Sequence, residues 1–182
     1  MKIALAQINP MVGDVDKNTD IILECIQNYG KSVDLLVFPE MALSGYPPQD
    51  LLNESSFIDK IESKFSEIVC SVKGETVVVI GFPRRADDKL YNSAAVVKNG
   101  SVLFFSDKTL LPSYDVFDET RYFSPSKIKN CPMNVVIGGK EICLGVQVCE
   151  DLWDEGYQVK VTDDMIKHGA EMIVNISASP FE

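Results

Sequence analysis

At Thr76 the periodicity of the sequence changes, and that change limits the class of fold the chain can adopt. Before it, apolar strand patterns alternate with amphipathic helices. Met1 to Ile8 reads as a strand, Pro10 to Gly13 as a turn, and about Asp16 to Tyr29 as a helix stopped by Gly30, with Ile22, Cys25, Ile26 and Tyr29 on one face. "VDLLVFPE" is a buried strand ending at Pro39, "SGYPPQD" a rigid loop, and Glu54 to Val72 a second helix with Phe57, Ile61, Phe65, Ile68 and Val72 at helical spacing. After Thr76, "TVVVIGFP", "LYNSAAVVK" and "SVLFFSD" are three strands in succession, the last two joined by the hairpin signal Asn99-Gly100. Gly138-Gly139 predicts a further hairpin leading into "KEICLGVQV", followed by a short helix at "DDMIKHG" and a strand at "EMIVNIS". Alternating strands and helices with inserted hairpins define an α/β protein with a mixed rather than purely parallel sheet.

A chain of 182 residues, 46% of them hydrophobic, is long enough for one good core and reads as one domain, 1–182. Seventeen basic residues against twenty-seven acidic ones give a net charge of −10, which disfavours nucleic acid and anionic membranes as partners. A small molecule or a protein fits that charge better. Cys25, Cys70, Cys131, Cys143 and Cys149 are odd in number and have no CxxC spacing, so they build neither a disulfide framework nor a zinc site and point to a reducing compartment. Gln7, Asn9 and Pro10 interrupt the N-terminal apolar run before a signal-peptide core is complete, and no run reaches the ~18 apolar residues of a membrane span. The cytoplasm is the expected location.

Three reactive side chains follow three apolar strands: Glu40 after "DLLVFP", Lys108 after "SVLFFSD" and Cys149 after "EICLGVQV". In open α/β sheets the carboxyl ends of the strands are where ligands bind. Cys149 lies in the acidic stretch "CEDLWDE", and carboxylates and desolvation both raise a thiol pKa, so a cation must come from elsewhere to favour the thiolate. Lys108 is placed to supply it, and Glu40 to take and return a proton. Taken singly, each has an ordinary alternative: Cys149 as a small buried hydrophobe, Lys108 as a solvated lysine, Glu40 as a cap or loop carboxylate. The one histidine, His168 in "MIKHGAE", reads as a helix-end residue, which argues against a Cys-His dyad. Cys143 and Cys149 on one extended strand would lie ~20 Å apart, which argues against a shared metal.

"VFPEMALSGYPPQDLL", "DKTLLPSYDVFDETRYF" and "VCEDLW" together resemble the three signature blocks of the nitrilase, or carbon–nitrogen hydrolase, superfamily, which uses a Glu-Lys-Cys triad. The "SGYPPQDLL" loop and "CEDLW" are similar, more narrowly, to the N-terminal glutaminase domain of the glutamine-dependent NAD synthetases, and the resemblance spans nearly the whole chain. It implies a nitrilase-like mixed β-sheet with helices, part of an α-β-β-α sandwich incomplete at its C-terminal end. It also implies Glu40 as general base, Lys108 as the cation beside the oxyanion, and Cys149 as the nucleophile that forms a thioester with glutamine. Tyr114 and Ser179 match substrate-binding positions, as does Trp153 beside the cysteine. Glu119 matches a second glutamate that orients the lysine, and Glu150 is a supporting residue that could equally belong to the core, as could Trp153. Glu119 with Arg121 also reads as an ordinary surface ion pair.

The resemblance implies no cofactor and no metal for glutamine hydrolysis, with ATP and magnesium used by a synthetase domain of the same polypeptide that lies outside these residues. Domains of this superfamily continue beyond the "NISASPF" strand, and no "SGGxDS" pyrophosphate loop occurs in the chain, so it is expected to be a piece of a longer protein. A basic substrate partner expected after Ser179 falls past Glu182. L-glutamine, the synthetase domain and other copies of the chain are the expected partners. Two other readings stay open: a free-standing amidase of the same superfamily, or a piece that only folds and associates.

Overall fold

The strand patterns around Leu35 and Val77 leave no polar face for water, and both faces of those strands are covered. The structure, a computed structural model, describes residues 1–127 and 131–179. Its first half is β1 (Ile3–Leu5), α1 (Val15–Tyr29), β2 (Leu35–Val37), α2 (Ser55–Ser71), β3 (Val77–Ala86), β4 (Lys89–Lys98) and β5 (Ser101–Asp107). These strands form one sheet in the order β1-β2-β3-β4-β5. The helix-linked strands β1, β2 and β3 run parallel, and the hairpin-linked β3, β4 and β5 run antiparallel. A second sheet, β6 (Met133–Ile137), β7 (Lys140–Val148) and β8 (Met172–Ile176), is also mixed, with α3 (Val161–Lys167) between its parallel strands.

Alternation along each strand builds the layers. Leu36, Phe38, Val78, Ile80 and Ala95 point to α1 and α2 and pack with Ile22, Ile61 and Phe65. Their neighbours Leu35, Val37, Val77, Val79, Ala94 and Val96 point the other way, onto Leu144, Val146 and Val148 of the second sheet. On the far face of that sheet, Val161 and Met165 of α3 pack with Ile173. Gly145 admits the close approach: a Cβ there would lie 2.9 Å from Met165 Sδ. The order helix, sheet, sheet, helix is the α-β-β-α sandwich.

The tight turns follow their residues. Asn99 and Gly100 both take positive φ (47° and 76°), as a two-residue hairpin with right-handed strand twist requires, and Gly138 and Gly139 do the same between β6 and β7. Several details differ from the sequence reading, among them the end of β1, the start of α1 and the extent of its buried face. β1 stops at Leu5 because its partner β2 is only three residues long, and the chain then turns through Gln7 N–H to Leu5 O and Ile8 N–H to Ala6 O. α1 begins at Val15, capped by Asp14, whose carboxylate accepts from Lys17 N. Tyr29, placed on the buried face by spacing, is 52% exposed in the last helical turn, and the buried stripe ends at Ile26.

Candidate active site

Glu40, Lys108 and Cys149 leave the carboxyl ends of β2, β5 and β7, strands of two different sheets, and they meet where the sheets' edges come together. All three are buried. Lys108 Nζ donates to Glu40 Oε1 and to Glu119 Oε1, each at 2.9 Å. Glu40 Oε1 also accepts from Asn92 Nδ2 at 2.7 Å, and Oε2 accepts from Ala178 N at 2.9 Å. Glu119 Oε1 further accepts from the Tyr46 hydroxyl at 2.9 Å. Glu119 therefore belongs to this buried cluster, and Arg121, its supposed surface partner, pairs with Asp50 instead at 3.1 Å.

The approach of Glu40 to the sheet depends on Gly81 of β3. A Cβ at Gly81 would lie 2.6 Å from Pro39 O and 2.7 Å from Glu40 Cα, closer than packed atoms tolerate. Cys149 opens a 3-10 turn, Cys149–Leu152, with φ +47°, a left-handed conformation uncommon for a side chain with a Cβ. That turn is tied to the lysine loop by Asp151: its carboxylate accepts from Thr109 N (3.0 Å), Leu110 N (2.8 Å) and Val148 N (3.2 Å). A second tie between the sheets is the Ser106 hydroxyl, donating to Val146 O at 2.5 Å.

The electrostatics separate thiol from ammonium. Burial first, then the Glu40 carboxylate, pushes the Cys149 thiol up to about 12, and the nearby Lys108 offsets only part of this. Both effects favour the neutral thiol, and Lys108, the cation expected from sequence to favour the thiolate, opposes them only in part. For Lys108, burial would lower the pKa, but Glu40 and Glu119 together outweigh it and hold the ammonium above its ordinary value. Burial raises the Glu119 carboxyl, with Lys108 opposing, and burial pushes Asp151 up to about 7 against its three N–H donors.

Glu150, also buried, accepts from the Tyr114 hydroxyl at 2.9 Å and from the Tyr157 hydroxyl at 2.8 Å. Burial and the Glu150 hydrogen bond push Tyr157 up to about 12. Glu40, Tyr46 and Ser179 line a cleft of about 590 Å³ with Asn9, Gln49 and Val116. Trp153 lies outside that lining and is 66% exposed. His168 ends α3, its Nδ1 2.6 Å from Asp164 O, away from the cluster. Among the described residues no group of three or more His, Cys, Asp or Glu is arranged to hold a metal ion, and no helix is long and apolar enough to cross a membrane. Tyr46, Asn92 and Asp151 were not singled out from sequence: each acts through contacts made across dozens of positions, for which spacing carries no signal.

A buried thiol, a carboxylate and an ammonium thus stand together at the joined edges of two sheets. The chain belongs to the carbon-nitrogen hydrolase family, whose description matches residues 2–182. Within that family it is similar to the glutamine-dependent NAD(+) synthetase of Aquifex aeolicus, 38% identical over 100% of this chain and 30% of the relative, and to that of Synechocystis sp., 36% identical over 98% of this chain and 34% of the relative. It spans about a third of the length of the curated relatives it matches. The solved glutamine-dependent NAD+ synthetase of Acinetobacter baumannii, in complex with ADP, superposes with a TM-score of 0.84 at 34% identity, covering 100% of this chain and 33% of that one. An amidase of the nitrilase superfamily from Nesterenkonia shares the fold at 21% identity, with a TM-score of 0.79 over 100% of this chain and 66% of its own.

Proposed function

We propose that the chain is the glutamine-hydrolysing part of a glutamine-dependent NAD synthetase. The observation that carries this reading is the convergence of Glu40, Lys108 and Cys149 in one buried cluster, with Lys108 Nζ 2.9 Å from both Glu40 and Glu119. In the proposed reaction Cys149 Sγ attacks the side-chain amide carbon of glutamine as its proton passes to Glu40. The oxyanion that forms is stabilised by the Lys108 ammonium, which the two glutamates keep charged. Glu40 returns the proton to the amide nitrogen, the carbon–nitrogen bond breaks, ammonia leaves and a thioester remains. Water, giving its proton to Glu40, then attacks the thioester, and glutamate and the free thiol are regenerated.

This step calls for no cofactor. The ammonia would serve ATP- and magnesium-dependent amidation of deamido-NAD in the rest of the longer protein. Tyr114, held by a hydrogen bond to the supporting Glu150, and Ser179 at the cleft are the proposed substrate contacts, with Trp153, exposed next to this turn, as a third. Glutamate release from glutamine by the full-length enzyme, with glutamine-supported NAD formation, tests the reading. Release by wild type and none by Cys149→Ala is the expected result; hydrolysis that persists in Cys149→Ala would overturn it.

A further inference from the structure

Asn92 sits in the middle of β4, fully buried, where its neighbours Ala94, Ala95, Val96 and Val97 are apolar. A buried amide in such a strand is costly unless its groups are paired, and this one is only half paired: among the described residues Oδ1 has no hydrogen-bond partner. The paired half faces the catalytic cluster. Nδ2 donates to Glu40 Oε1 at 2.7 Å and reaches Glu119 Oε2 at 3.5 Å. The opposite amide orientation would set Oδ1 against two carboxylates, so the cluster itself fixes which way the side chain points. The main chain of the same residue holds the lysine, since Lys108 N donates to Asn92 O at 2.8 Å.

We infer that Asn92 is a positioning residue of the hydrolytic site, a neutral donor that aims the Glu40 carboxylate while its backbone carbonyl sets the lysine beside it. The inference rests on Glu40 acting as the base toward Cys149. The charges facing Glu40 show why a second donor is needed: Lys108 from the end of β5, Glu119 from the turn at Glu119–Arg121, and the titratable groups of Cys149 from the second sheet and Tyr46 from the loop after β2. One ammonium is shared by two carboxylates, which leaves one negative charge uncompensated. An amide N–H stabilises that charge without adding a competing cation, and it leaves the lysine free to meet the oxyanion. Ala178 N completes the grip on the other oxygen of Glu40.

The test follows Asn92→Ala and Asn92→Leu, the second filling the volume without the donor, across pH in the full-length enzyme. Two readouts are taken: kcat/KM for glutamate release, and the rate at which iodoacetamide alkylates Cys149, where the carbon–sulfur bond forms as iodide leaves and the thiol proton goes to Glu40. Without the donor the negative charge at that position is less stabilised, so the acid limb of both profiles should move up by about one pH unit. The rates should then fall about tenfold along the acid limb and recover to the wild-type plateau above it. A folded variant with an unmoved acid limb, or with the same loss at every pH, would overturn the assignment, as would failure of both variants to fold, which would make Asn92 a structural residue. If wild type released no glutamate, the proposed function would fail by itself, and Asn92 would be judged on the alkylation profile.

Discussion

Lys108 is the residue on which the cluster balances, because its one charge serves two buried carboxylates. Lys108→Ala would leave Glu40 and Glu119 facing each other unneutralised, and Glu40→Ala would remove the proposed acceptor for the thiol proton. Each should lower glutamate release at least ~100-fold, measured on protein whose fold is checked by circular dichroism. Tyr46→Phe takes one donor from the buried Glu119 carboxylate and should reduce stability by about 1–3 kcal/mol in urea titration. Asp151 has a pH signature of its own. Its carboxyl is raised from 3.8 to about 7 in the folded state, so between those values the native chain holds a proton that the unfolded chain has released, and the stability this contributes is lost as pH rises through about 7. Asp151→Asn has no such titration, so from pH 5 to pH 8 wild type should lose stability relative to the variant, read as urea midpoints.

At the scale of elements, the closest fit in the site is between β3 and the end of β2. Gly81→Ala puts a methyl group against the backbone of Pro39 and Glu40, atoms that have no rotamer to escape into. Glu40 must shift, and a displacement near 1 Å can lower a rate about 100-fold. Glutamate release should fall by that order, while a thermal melt still shows a cooperative transition. The strands and helices themselves were legible because the short apolar runs in "VDLLVFP" and "TVVVIGFP" and the helical spacing of Ile61, Phe65 and Ile68 are local patterns. So were the Asn99-Gly100 and Gly138-Gly139 turns, which need positive φ at consecutive residues. The mutual approach of Glu40, Lys108 and Cys149 was legible through their common position at strand ends together with the three signature blocks that carry the family resemblance. Asn92, fifty-two residues from Glu40, and Tyr46, seventy-three from Glu119, read as an ordinary strand amide and a loop tyrosine, because which long-range pair meets is decided by strand order and sheet stacking. The division of the strands into two sheets was legible only through the family resemblance, since periodicity says that a face is buried and not what buries it.

At the scale of the whole molecule, the second sheet does not reach as far as the first. Ile3 and Leu5 pair in register with Leu35 and Val37, whose side chains lie between the sheets, yet they are 46% and 77% exposed. The 182-residue chain assayed alone should therefore release glutamate at least ~100-fold more slowly than the full-length enzyme, with light scattering showing self-association through this uncovered apolar edge. In the full-length enzyme, EDTA should stop NAD formation and leave glutamate release unchanged, because the proposed hydrolysis uses a thiol nucleophile; a parallel loss of both would point to a metal in the hydrolytic step.

Glu40 and Lys108 hang from one sheet and Cys149 from the other, so how closely the proposed base meets the sulfur depends on the layer that spaces the two sheets. Val79, Val96, Leu144 and Val146 thus act as a shim. One methylene more or less in that layer would retune the reaction from a distance, without touching any group that takes part in it. Engineers who repack this interior for heat resistance would be adjusting the catalyst whether they intend to or not, and changes that leave its rate alone should come as compensating pairs, one side chain growing as its neighbour across the seam shrinks.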